Sequence, residues 1–479
     1  MSTVDAVVVG SGPNGLAAAI ALAQEGLAVL VVEAQESPGG GLRSEALTLP
    51  GFTHDVCSAV HPLAVGSPFL SSLPLDKHGL EWIEPPLPLA HPLAEEGEAV
   101  SLHRDPAETA RGLGPDGEAW LDLVTPLIQD WDGFAQDVLG PLLRWPSHPI
   151  RMAGFGLKAI RSASALAGSR FKGRAARALF AGCAAHSFLP LDRAPSAAVG
   201  LVLAASGHAV GWPIPRGGAD AVAQAMVRYL ESLGGEVLVG WKVRDLDELP
   251  SSRAVLLDLT PRQVVEVAGE HLPERYLRRL GRYRYGPGVV KVDWALDGPV
   301  PWQAPQCAEA STVHLGGSLG EIEAAEMAPW EGRVAQRPFV LFSEPTRFDP
   351  GRAPDGKSVG WGYCHVPPGW RGDPEQVARS IEGQVERYAP GFQSRILARS
   401  VRGPAEMEAT NPNLVGGDIN GGLQDLRQVL ARPVLSLDPY ATPTPGLYLC
   451  SSSTPPGGGV HGMCGYHAAM SALRKTFKG

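Results

Sequence analysis

Three glycines near the start of the chain have the spacing that brings a backbone against phosphate. Gly10, Gly12 and Gly15 follow an apolar, β-branched run (residues 4–9) and precede an Ala- and Leu-rich run (residues 16–25). In a strand–turn–helix unit these glycines permit a tight turn, a close approach to pyrophosphate and close helix–strand packing. The helix N-terminus then offers free N–H groups to negative charge. The turn residues predicted to contact a dinucleotide are Gly10, Gly12, Pro13, Asn14 and Gly15.

An acidic residue stands where such a site needs one. A second apolar run, residues 28–32, ends at Glu33 and Ala34. An acid about 20 residues beyond the glycines bonds the ribose hydroxyls of a bound dinucleotide. We therefore predict that Glu33 and Ala34 contact an adenosine ribose. The alternative is a glycine turn in an ordinary α/β domain.

A second glycine cluster follows and ends in an arginine. Residues 38–44 read Pro-Gly-Gly-Gly-Leu-Arg-Ser. Their backbone N–H groups and the fixed guanidinium of Arg43 suit a pyrophosphate. We predict contacts from Gly40, Gly41, Leu42 and Arg43. The alternative for Arg43 is an arginine on a surface loop.

These segments resemble signature segments of the FAD-dependent phytoene desaturase and amine oxidase superfamily. Residues 38–44 are similar to its G-G-x-x-R-S/T signature, and residues 51–55 to the stretch that runs back along the flavin. Within it, the chain resembles bacterial phytoene-dehydrogenase-like proteins related to pyridine nucleotide-disulfide oxidoreductase domain-containing protein 2. The resemblance implies non-covalent FAD, since no cysteine lies in an attachment motif of the family.

The resemblance continues to the far end of the chain. A strand at residues 446–450, a glycine-rich loop at 455–462 and a helix at about 464–476 are similar to the closing flavin contact of the family. There the helix N-terminus stabilises negative charge on the ring. The residues implied as contacts are Gly458, Gly459 and Val460. Residues 211–239 resemble a further helix and strand of the FAD domain, and Val243 falls where the chain returns towards the adenine.

The fold implied is α/β: a discontinuous Rossmann FAD domain of the glutathione-reductase type with an inserted α+β substrate domain. We expect the FAD domain at about 1–90, 212–285 and 432–479. The substrate domain would take 91–211 and 286–431.

Composition narrows the function classes. The chain has 479 residues, is 44% hydrophobic and carries a net charge of −9, which argues against nucleic acid as a partner. None of the six cysteines forms a C-x-x-C pair, and no metal-ligand spacing is present. We expect reduced thiols and a cytoplasmic protein, since neither a signal peptide nor a membrane-spanning run is visible.

Lys291 is the first candidate for chemistry. It lies in an apolar strand, residues 288–294, where an ammonium needs a partner or a water-filled cavity. The segment is similar to the strand that carries the flavin-facing lysine of monoamine oxidases. The resemblance implies that Lys291 assists the reaction of reduced flavin with oxygen or steers a proton. The alternative is a lysine at the strand edge that reaches solvent.

Two histidines are the other candidates. His461, in the closing loop, could donate a proton or contact substrate, or it could cap backbone. His61 follows the flavin-contacting stretch and could line the pocket, or it could be structural. The family's amine oxidases place tyrosines in front of the flavin, whereas the corresponding position here, within Pro456–Gly459, has no aromatic residue. We therefore favour a long or flat apolar substrate over a simple amine.

One stretch could bind a membrane. Residues 138–191 contain no acidic side chain but have eight basic ones between 144 and 177, interleaved with apolar residues. On helices this pattern predicts peripheral contact with an anionic membrane, from which an apolar substrate would be collected. A solvated basic face or an oligomer contact is the alternative.

Four functions are consistent with these features. The first is an oxidoreductase that takes hydride from a hydrophobic substrate to flavin N5, with oxygen or a quinone as acceptor. The second is a redox-neutral flavin-dependent isomerase, and the third an amine oxidase that produces hydrogen peroxide. The fourth is a non-enzymatic binder, since Rab GDP-dissociation inhibitors resemble this fold without holding FAD.

Overall fold

A computed structural model describes residues 4–93 and 97–478. The strands are β1 Ala6–Val9, β2 Val29–Val32, β3 Ser44–Glu45, β4 His54–Asp55, β5 Trp82–Ile83, β6 Leu87–Pro92, β7 Ala99–Leu102, β8 Ile214–Pro215, β9 Glu236–Leu238, β10 Ala254–Leu257, β11 Gly288–Leu296, β12 Ala310–Leu315, β13 Val340–Ser343, β14 Ser358–Val366, β15 Ile396–Arg402 and β16 Leu447–Leu449. The helices are α1 Pro13–Ala23, α2 Pro62–Val65, α3 Pro106–Gly112, α4 Gly117–Ile128, α5 Trp131–Val138, α6 Pro149–Ala159, α7 Ala163–Arg170, α8 Arg174–Ala185, α9 Ser196–Ala209, α10 Asp220–Ser232, α11 Pro261–Ala268, α12 Glu274–Leu280, α13 Pro305–Glu309, α14 Leu319–Met327, α15 Pro374–Tyr388, α16 Pro404–Thr410, α17 Leu426–Leu430 and α18 Met463–Ala472.

A five-stranded parallel sheet holds the N-terminal glycine turn. Its order is β16-β10-β1-β2-β9, and every pairing is parallel. β1 and β2 are runs of Val, Ala and Leu buried along their whole length, as strands covered on both faces must be. Helices α10 and α18 pack against α1 beside this sheet. The α/β fold with a Rossmann unit is confirmed.

A seven-stranded mixed sheet forms the second body. Its order is β15-β11-β14-β13-β12-β6-β7, antiparallel except for the parallel pair β6–β12. β11 and β14 are buried at every position. Trp294, Phe342 and Phe392 pack on one face with α15. Helices α8 and α14 pack together, and α8 also contacts β6.

The strands of the parallel sheet come from three separate stretches of chain, and the division into domains stays a prediction. The predicted boundary at residue 90 falls inside β6, which belongs wholly to the second sheet. Strand membership therefore puts that boundary before Leu87. The predicted final helix is also shorter, because α18 ends at Ala472 and a π-helical turn, Leu473–Phe477, follows it.

We also searched residues 4–93 and 97–478 for membrane-spanning helices. None of the helices there has the length and apolar character to cross a bilayer.

Candidate cofactor and substrate site

The N-terminal glycine turn has the geometry that its spacing predicts. Gly10 has φ +99°, a left-handed conformation, at the carboxyl end of β1. A Cβ at residue 15 would overlap the carbonyl oxygen of Gly10. Helix α1 begins at Pro13, whose missing N–H costs nothing at that position. Gly15 therefore serves helix–strand packing, while Gly10, Gly12, Pro13 and Asn14 line an adjoining cavity.

Glu33 lies in the wall of the same cavity and is held in place by the turn. It is only 8% exposed. Its Oε2 accepts hydrogen bonds from the amide and hydroxyl of Ser11, at 2.9 and 2.6 Å, and Oε1 accepts from the Gln35 amide at 2.9 Å. Ala34 also lines the cavity. The ribose contact of Glu33 and Ala34 stays a prediction.

Arg43 is anchored inside the protein, so the surface-loop alternative is wrong. Its side chain is 6% exposed, and it donates to the carbonyl oxygens of Gly40 and Thr410, each at 3.2 Å. Gly40, Gly41 and Arg43 line the cavity. Leu42, predicted as a further contact, is fully buried in the hydrophobic core and does not line it. It is the apolar anchor of this loop.

The closing loop meets the N-terminal turn around this one cavity. Gly458, Gly459 and Val460 line it together with His461, and α18 starts directly afterwards at Met463. The residues named from the two ends of the chain are therefore brought together. Val243 also lines the cavity, although it lies in the loop after β9 rather than in a strand.

His461 holds the closing loop together. Its Nδ1 accepts from the Met463 amide at 3.0 Å, and its Nε2 lies 3.2 Å from the Gly457 carbonyl, to which it can donate. The ring is 1% exposed, and burial lowers its pKa to about 4. Both ring nitrogens are engaged by backbone, which favours the capping alternative over proton donation.

His61 is the stronger of the two histidine candidates. It lines the cavity and is 1% exposed, and burial lowers its pKa to about 4. Within the described part of the chain, neither ring nitrogen has a hydrogen-bond partner. A buried imidazole with two unsatisfied nitrogens needs a bound molecule or water beside it.

Lys291 occupies a different place from the predicted one. It is 2% exposed and forms an ion pair with Asp293, so the solvent-reaching alternative is wrong. It is not among the residues that line the cavity. Its ammonium lies 5.7 Å from the centre of the Trp361 ring, which does line it. Lys291 thus lies outside the cavity, next to a tryptophan that forms part of its wall.

The cavity, of about 870 Å³, extends well beyond the dinucleotide cleft. Its second half is mostly apolar. It is lined by side chains from α6, α9, β13 and β14 and from the segments that follow α8 and α9, including Phe155, Phe188, Val202, Trp212, Leu341 and Trp361. This half is shaped for an apolar ligand whose polar contacts are few.

Two aromatic residues of this half, Trp361 and Tyr363, come from β14, whereas the closing loop, residues 455–462, has no Phe, Tyr or Trp. The rings of Trp361 and Tyr363 are 5.3 Å apart and nearly perpendicular, and both line the cavity. Phe188 also lines it, with φ +62°, a conformation that costs a bulky residue energy and clusters at functional sites. Periodicity could not identify these residues, because every position of β14 is buried.

Asp258 is a site residue that the sequence analysis did not identify. It follows β10, and the pairing of Leu257 with Val9 puts it beside Gly10. Its Oδ2 accepts from the Gly15 amide at 3.0 Å, and it lines the cavity. Burial raises its pKa to about 7, and the charge of Glu33 adds to the effect. Its position at the carboxyl end of a strand beside β1 was the available signal.

Only part of the predicted basic stretch, residues 138–191, is exposed on the surface. Leu166, Phe171, Leu179 and Phe180 were counted on its apolar face, but each is at most 1% exposed and belongs to the core. The exposed apolar side chains of this stretch lie instead in residues 142–160.

One group of possible metal ligands occurs in the described ranges. Asp245, Asp247 and His271 bring their ligand atoms within 4.8 Å of one another on a part-exposed surface. None of the three lines the cavity.

Comparison with known proteins agrees with this geometry. The family model described as "NAD(P)-binding Rossmann-like domain" matches residues 8–68. The mouse protein named pyridine nucleotide-disulfide oxidoreductase domain-containing protein 2 is 27% identical, over 98% of this chain and 93% of its own. Hydroxyneurosporene desaturase of Cereibacter sphaeroides is 26% identical, over 98% and 97%.

Solved structures share the fold along the whole chain. An oxidoreductase from Methanosarcina mazei has a TM-score of 0.66 at 17% identity and covers 98% of this chain and 100% of its own. Cyclohexylamine oxidase from Brevibacterium oxydans has a TM-score of 0.58 at 15% identity, with 98% of each chain covered. These structures show the shared fold, and the two relatives are similar to this chain along nearly its whole length.

Proposed function

We propose that this protein is an FAD-dependent oxidoreductase that removes hydride from a hydrophobic small molecule. The observation that carries the proposal is the single cavity in which a dinucleotide cleft opens into an apolar compartment. A similarity to hydroxyneurosporene desaturase along the chain supports an apolar substrate. FAD when bound accepts hydride at N5, and oxygen or a quinone then reoxidises it.

The residues present fit a bound FAD. Asn14, His61 and Asn420 line the cavity, and each has a buried polar atom without a partner in the described structure. Such atoms are costly unless a ligand or water satisfies them. Gly10, Gly12, Glu33 and Arg43 would hold the pyrophosphate and ribose. The closing loop would hold the ring.

The FAD would be held without a covalent bond. Cys57 is the one cysteine of the described chain that lines the cavity, and burial raises the pKa of its thiol. A buried neutral thiol is a poor nucleophile. Cys450, near the closing loop, is fully buried, and burial likewise raises its pKa.

Side chains of the cavity wall would orient the substrate and exclude water from it. Trp361, Tyr363 and Phe188 present apolar surface where a substrate would lie, which excludes water from the reacting carbon. His61 lines this space with both ring nitrogens unpartnered among the described residues, and it would position a polar end of the substrate or the flavin edge. Lys291 and Asp293 form an ion pair on β11, and the ammonium of Lys291 lies against the ring of Trp361.

Anaerobic mixing tests this function and separates its alternatives. The flavin-loaded protein is mixed without oxygen with an apolar lipid extract, and separately with simple primary amines. We expect the extract to bleach the visible flavin band and oxygen or a soluble quinone to restore it. Bleaching by amines alone, with peroxide formed on aeration, would show an amine oxidase. Conversion of an extract component without bleaching or acceptor would show an isomerase.

We further propose that the protein docks on an anionic membrane through an apolar rim at the cavity mouth. The rim consists of exposed side chains from residues 142–160 and 426–437: Leu142, Leu143, Trp145, Ile150, Leu157, Ile160, Leu426, Leu430, Leu435 and Leu437. Four of them, Leu142, Ile160, Leu426 and Leu430, also line the cavity. Exposed large apolar side chains that also line an apolar cavity are typical of an interaction site.

The surroundings of the rim favour lipid as its occupant. Trp145 is 83% exposed, and tryptophan is enriched at membrane interfaces. Arg170 and Lys172 are exposed nearby in sequence, on a stretch without acidic side chains, which suits anionic headgroups. Because residues of the rim line the cavity, an apolar substrate could pass from the bilayer to the site without crossing water.

A further inference from the structure

We propose that the substrate of this site is uncharged and carries a hydroxyl group, which binds to His186 in the apolar half of the cavity. This substrate class rests on the proposed oxidoreductase function, since it describes what would occupy the same site. His186 would select the substrate by binding its polar end and would take no part in hydride transfer.

Charged side chains line only one half of the cavity. Among the residues that the structure describes, the charged ones in its wall are Glu33, Arg43, Lys242, Asp258 and Glu266. All of them lie in the loops and the helix that follow β2, β9 and β10 of the parallel sheet, where the pyrophosphate and ribose would be held. The apolar half, within the described ranges, thus offers no ion-pair partner to an ammonium or a carboxylate. Burying such a charge without a partner costs far more than burying a hydroxyl group.

The titratable groups that line the apolar half are themselves uncharged at pH 7. Burial lowers the pKa of His186 to about 3 and that of His61 to about 4. Burial also raises the pKa of Tyr363, which keeps its phenol protonated. Lys291 and Asp293 lie outside the cavity and are paired with each other, so their charges cancel. A neutral polar group is therefore the kind that this wall can accept.

His186 is a polar residue held in a fixed position in this apolar half. It follows α8 directly, lines the cavity and is half-buried. Its Nε2 lies 3.0 Å from the Nε2 of His314, on β12. Its ring is nearly perpendicular to that of Trp212, with the ring centres 6.0 Å apart. Because His314 and Trp212 are both buried, the imidazole is held from the side of the core.

The second ring nitrogen of His186 is free to meet a ligand. Within residues 4–93 and 97–478, its Nδ1 has no hydrogen-bond partner, and it is not one of the atoms sealed from solvent. Thr312 lies on the same face of β12 as His314, because side chains alternate along a strand, and it also lines the cavity. Thr312 therefore adds an uncharged polar group on this side of the cavity.

The contact between the two histidines decides which ligand groups fit. A neutral histidine has one N–H and one lone pair. If His186 donates from Nε2, its Nδ1 is an acceptor, and if His314 donates, the Nδ1 of His186 carries the proton. A hydroxyl group both donates and accepts, so it satisfies this Nδ1 in either case, whereas a carbonyl group satisfies it only in the second. A pure hydrocarbon would leave the nitrogen without a partner.

Matched ligands test the uncharged substrate class. The FAD-loaded protein is dialysed to equilibrium at pH 7 against naphthalenemethanol, naphthalenemethylamine or naphthoate, and bound ligand is read from its own absorbance. We expect the alcohol to bind about tenfold more tightly than the ammonium or the carboxylate, since neither charge finds a partner. A charged ligand that binds as tightly as the alcohol would overturn this class.

His186→Leu tests the hydroxyl contact. Its affinity for naphthalenemethanol should fall about tenfold, because the hydroxyl loses its partner, while its affinity for methylnaphthalene should stay the same. His186→Gln keeps an uncharged donor and acceptor and should retain most of the affinity for the alcohol. His78→Leu replaces a half-buried histidine outside the cavity and should change neither affinity. Equal losses for alcohol and hydrocarbon in His186→Leu, or no loss for either, would contradict the contact.

A measurement on the wild type covers the case in which His186→Leu does not fold. Protein with ¹⁵N-labelled histidine rings, loaded with FAD, is examined by long-range ¹H–¹⁵N NMR, and the signals of His186 are assigned by comparison with His186→Gln. Naphthalenemethanol should shift the Nδ1 signal of His186, and methylnaphthalene should shift it far less. An Nδ1 signal that does not respond to bound alcohol would overturn the contact.

Flavin absorbance separates the substrate class from the proposed function. A colourless protein that ranks the ligands as expected would refute the function alone. A yellow protein that oxidises an apolar compound, but binds the alcohol equally well with and without His186, would refute the substrate class alone.

Discussion

At the scale of single residues, burial decides which groups carry charge in the cavity. Asp258 and Glu33 both lie in the dinucleotide cleft. Glu33 has three donors on its carboxylate, whereas Asp258 has one, from Gly15. The pKa of Asp258 is accordingly raised to about 7 by burial, with a further contribution from Glu33. A pyrophosphate beside Asp258 meets a neutral acid more readily than a second anion.

Asp258→Asn should therefore remove a pH dependence. The folded chain holds a proton on Asp258 that the unfolded chain releases near pH 4, so wild-type stability falls as pH rises from about 4 to 7. A shift of this size corresponds to about 4 kcal/mol. We expect the variant to be more stable than wild type at pH 8 and its FAD affinity to vary less with pH. Urea unfolding and FAD titration at pH 5 and 8 measure both. Equal pH slopes in the two proteins would rule out this role for Asp258.

Lys291→Met should destabilise the protein because it leaves the buried carboxylate of Asp293 without its ion-pair partner. Removing one member of a buried ion pair costs about 3–5 kcal/mol. Lys291→Met with Asp293→Asn should lose less than half as much, by urea unfolding. Because Lys291 stands behind Trp361, the flavin of the double variant should react with oxygen at the wild-type rate in stopped flow. A clearly slower reaction would restore a direct role for Lys291.

At the scale of elements, the sequence predicts best where local chemistry sets the structure. The β1–turn–α1 unit and the region of α18 follow from glycine spacing and apolar runs, and the structure has them within a few residues of the predicted positions. Leu42 and Lys291 were misplaced because their surroundings come from elements far along the chain. His186, which lines the cavity, was missed for the same reason, since it follows α8 and meets the other cavity residues only in the fold.

Gly15→Ala should disrupt the first of these elements. The added methyl group would overlap the Gly10 carbonyl and push α1 from β1. We expect at least a tenfold loss of FAD affinity, as a helix N-terminus displaced from the phosphates loses its N–H contacts. Gly112→Ala, at an exposed helix end with open space, is the matched control. Fluorescence titration of FAD compares them, and unchanged affinity in Gly15→Ala would argue against the site.

At the scale of the whole molecule, the positions of apolar and charged side chains on the surface indicate a partner better than the net charge of −9 does. The acidic total argues against a molecule that is basic overall, yet the cavity mouth combines an apolar rim with a stretch that lacks acidic residues. Composition alone could not locate this rim, because half of the apolar residues in residues 144–177 turn inward to the core. The fold decides which of them face solvent.

Ile150→Ser with Leu437→Ser should release the protein from membranes. The two side chains are 90% and 88% exposed. Each apolar side chain withdrawn from water contributes about 1.5–3 kcal/mol, so partition onto phosphatidylglycerol vesicles should fall at least tenfold. Leu397→Ser, an exposed leucine on β15 outside the rim, is the control. Flotation with phosphatidylglycerol and with phosphatidylcholine measures this. No binding of the wild type to either would refute the docking surface.

The two ends of the chain line one cavity, where we propose that they hold one FAD. Absorbance spectroscopy of the purified protein, followed by acid precipitation and mass analysis of the released cofactor, tests it most directly. We predict a yellow protein with about one FAD per chain, all of it released because it is held without a covalent bond. A colourless protein that gives no spectral change on titration with FAD would contradict the account.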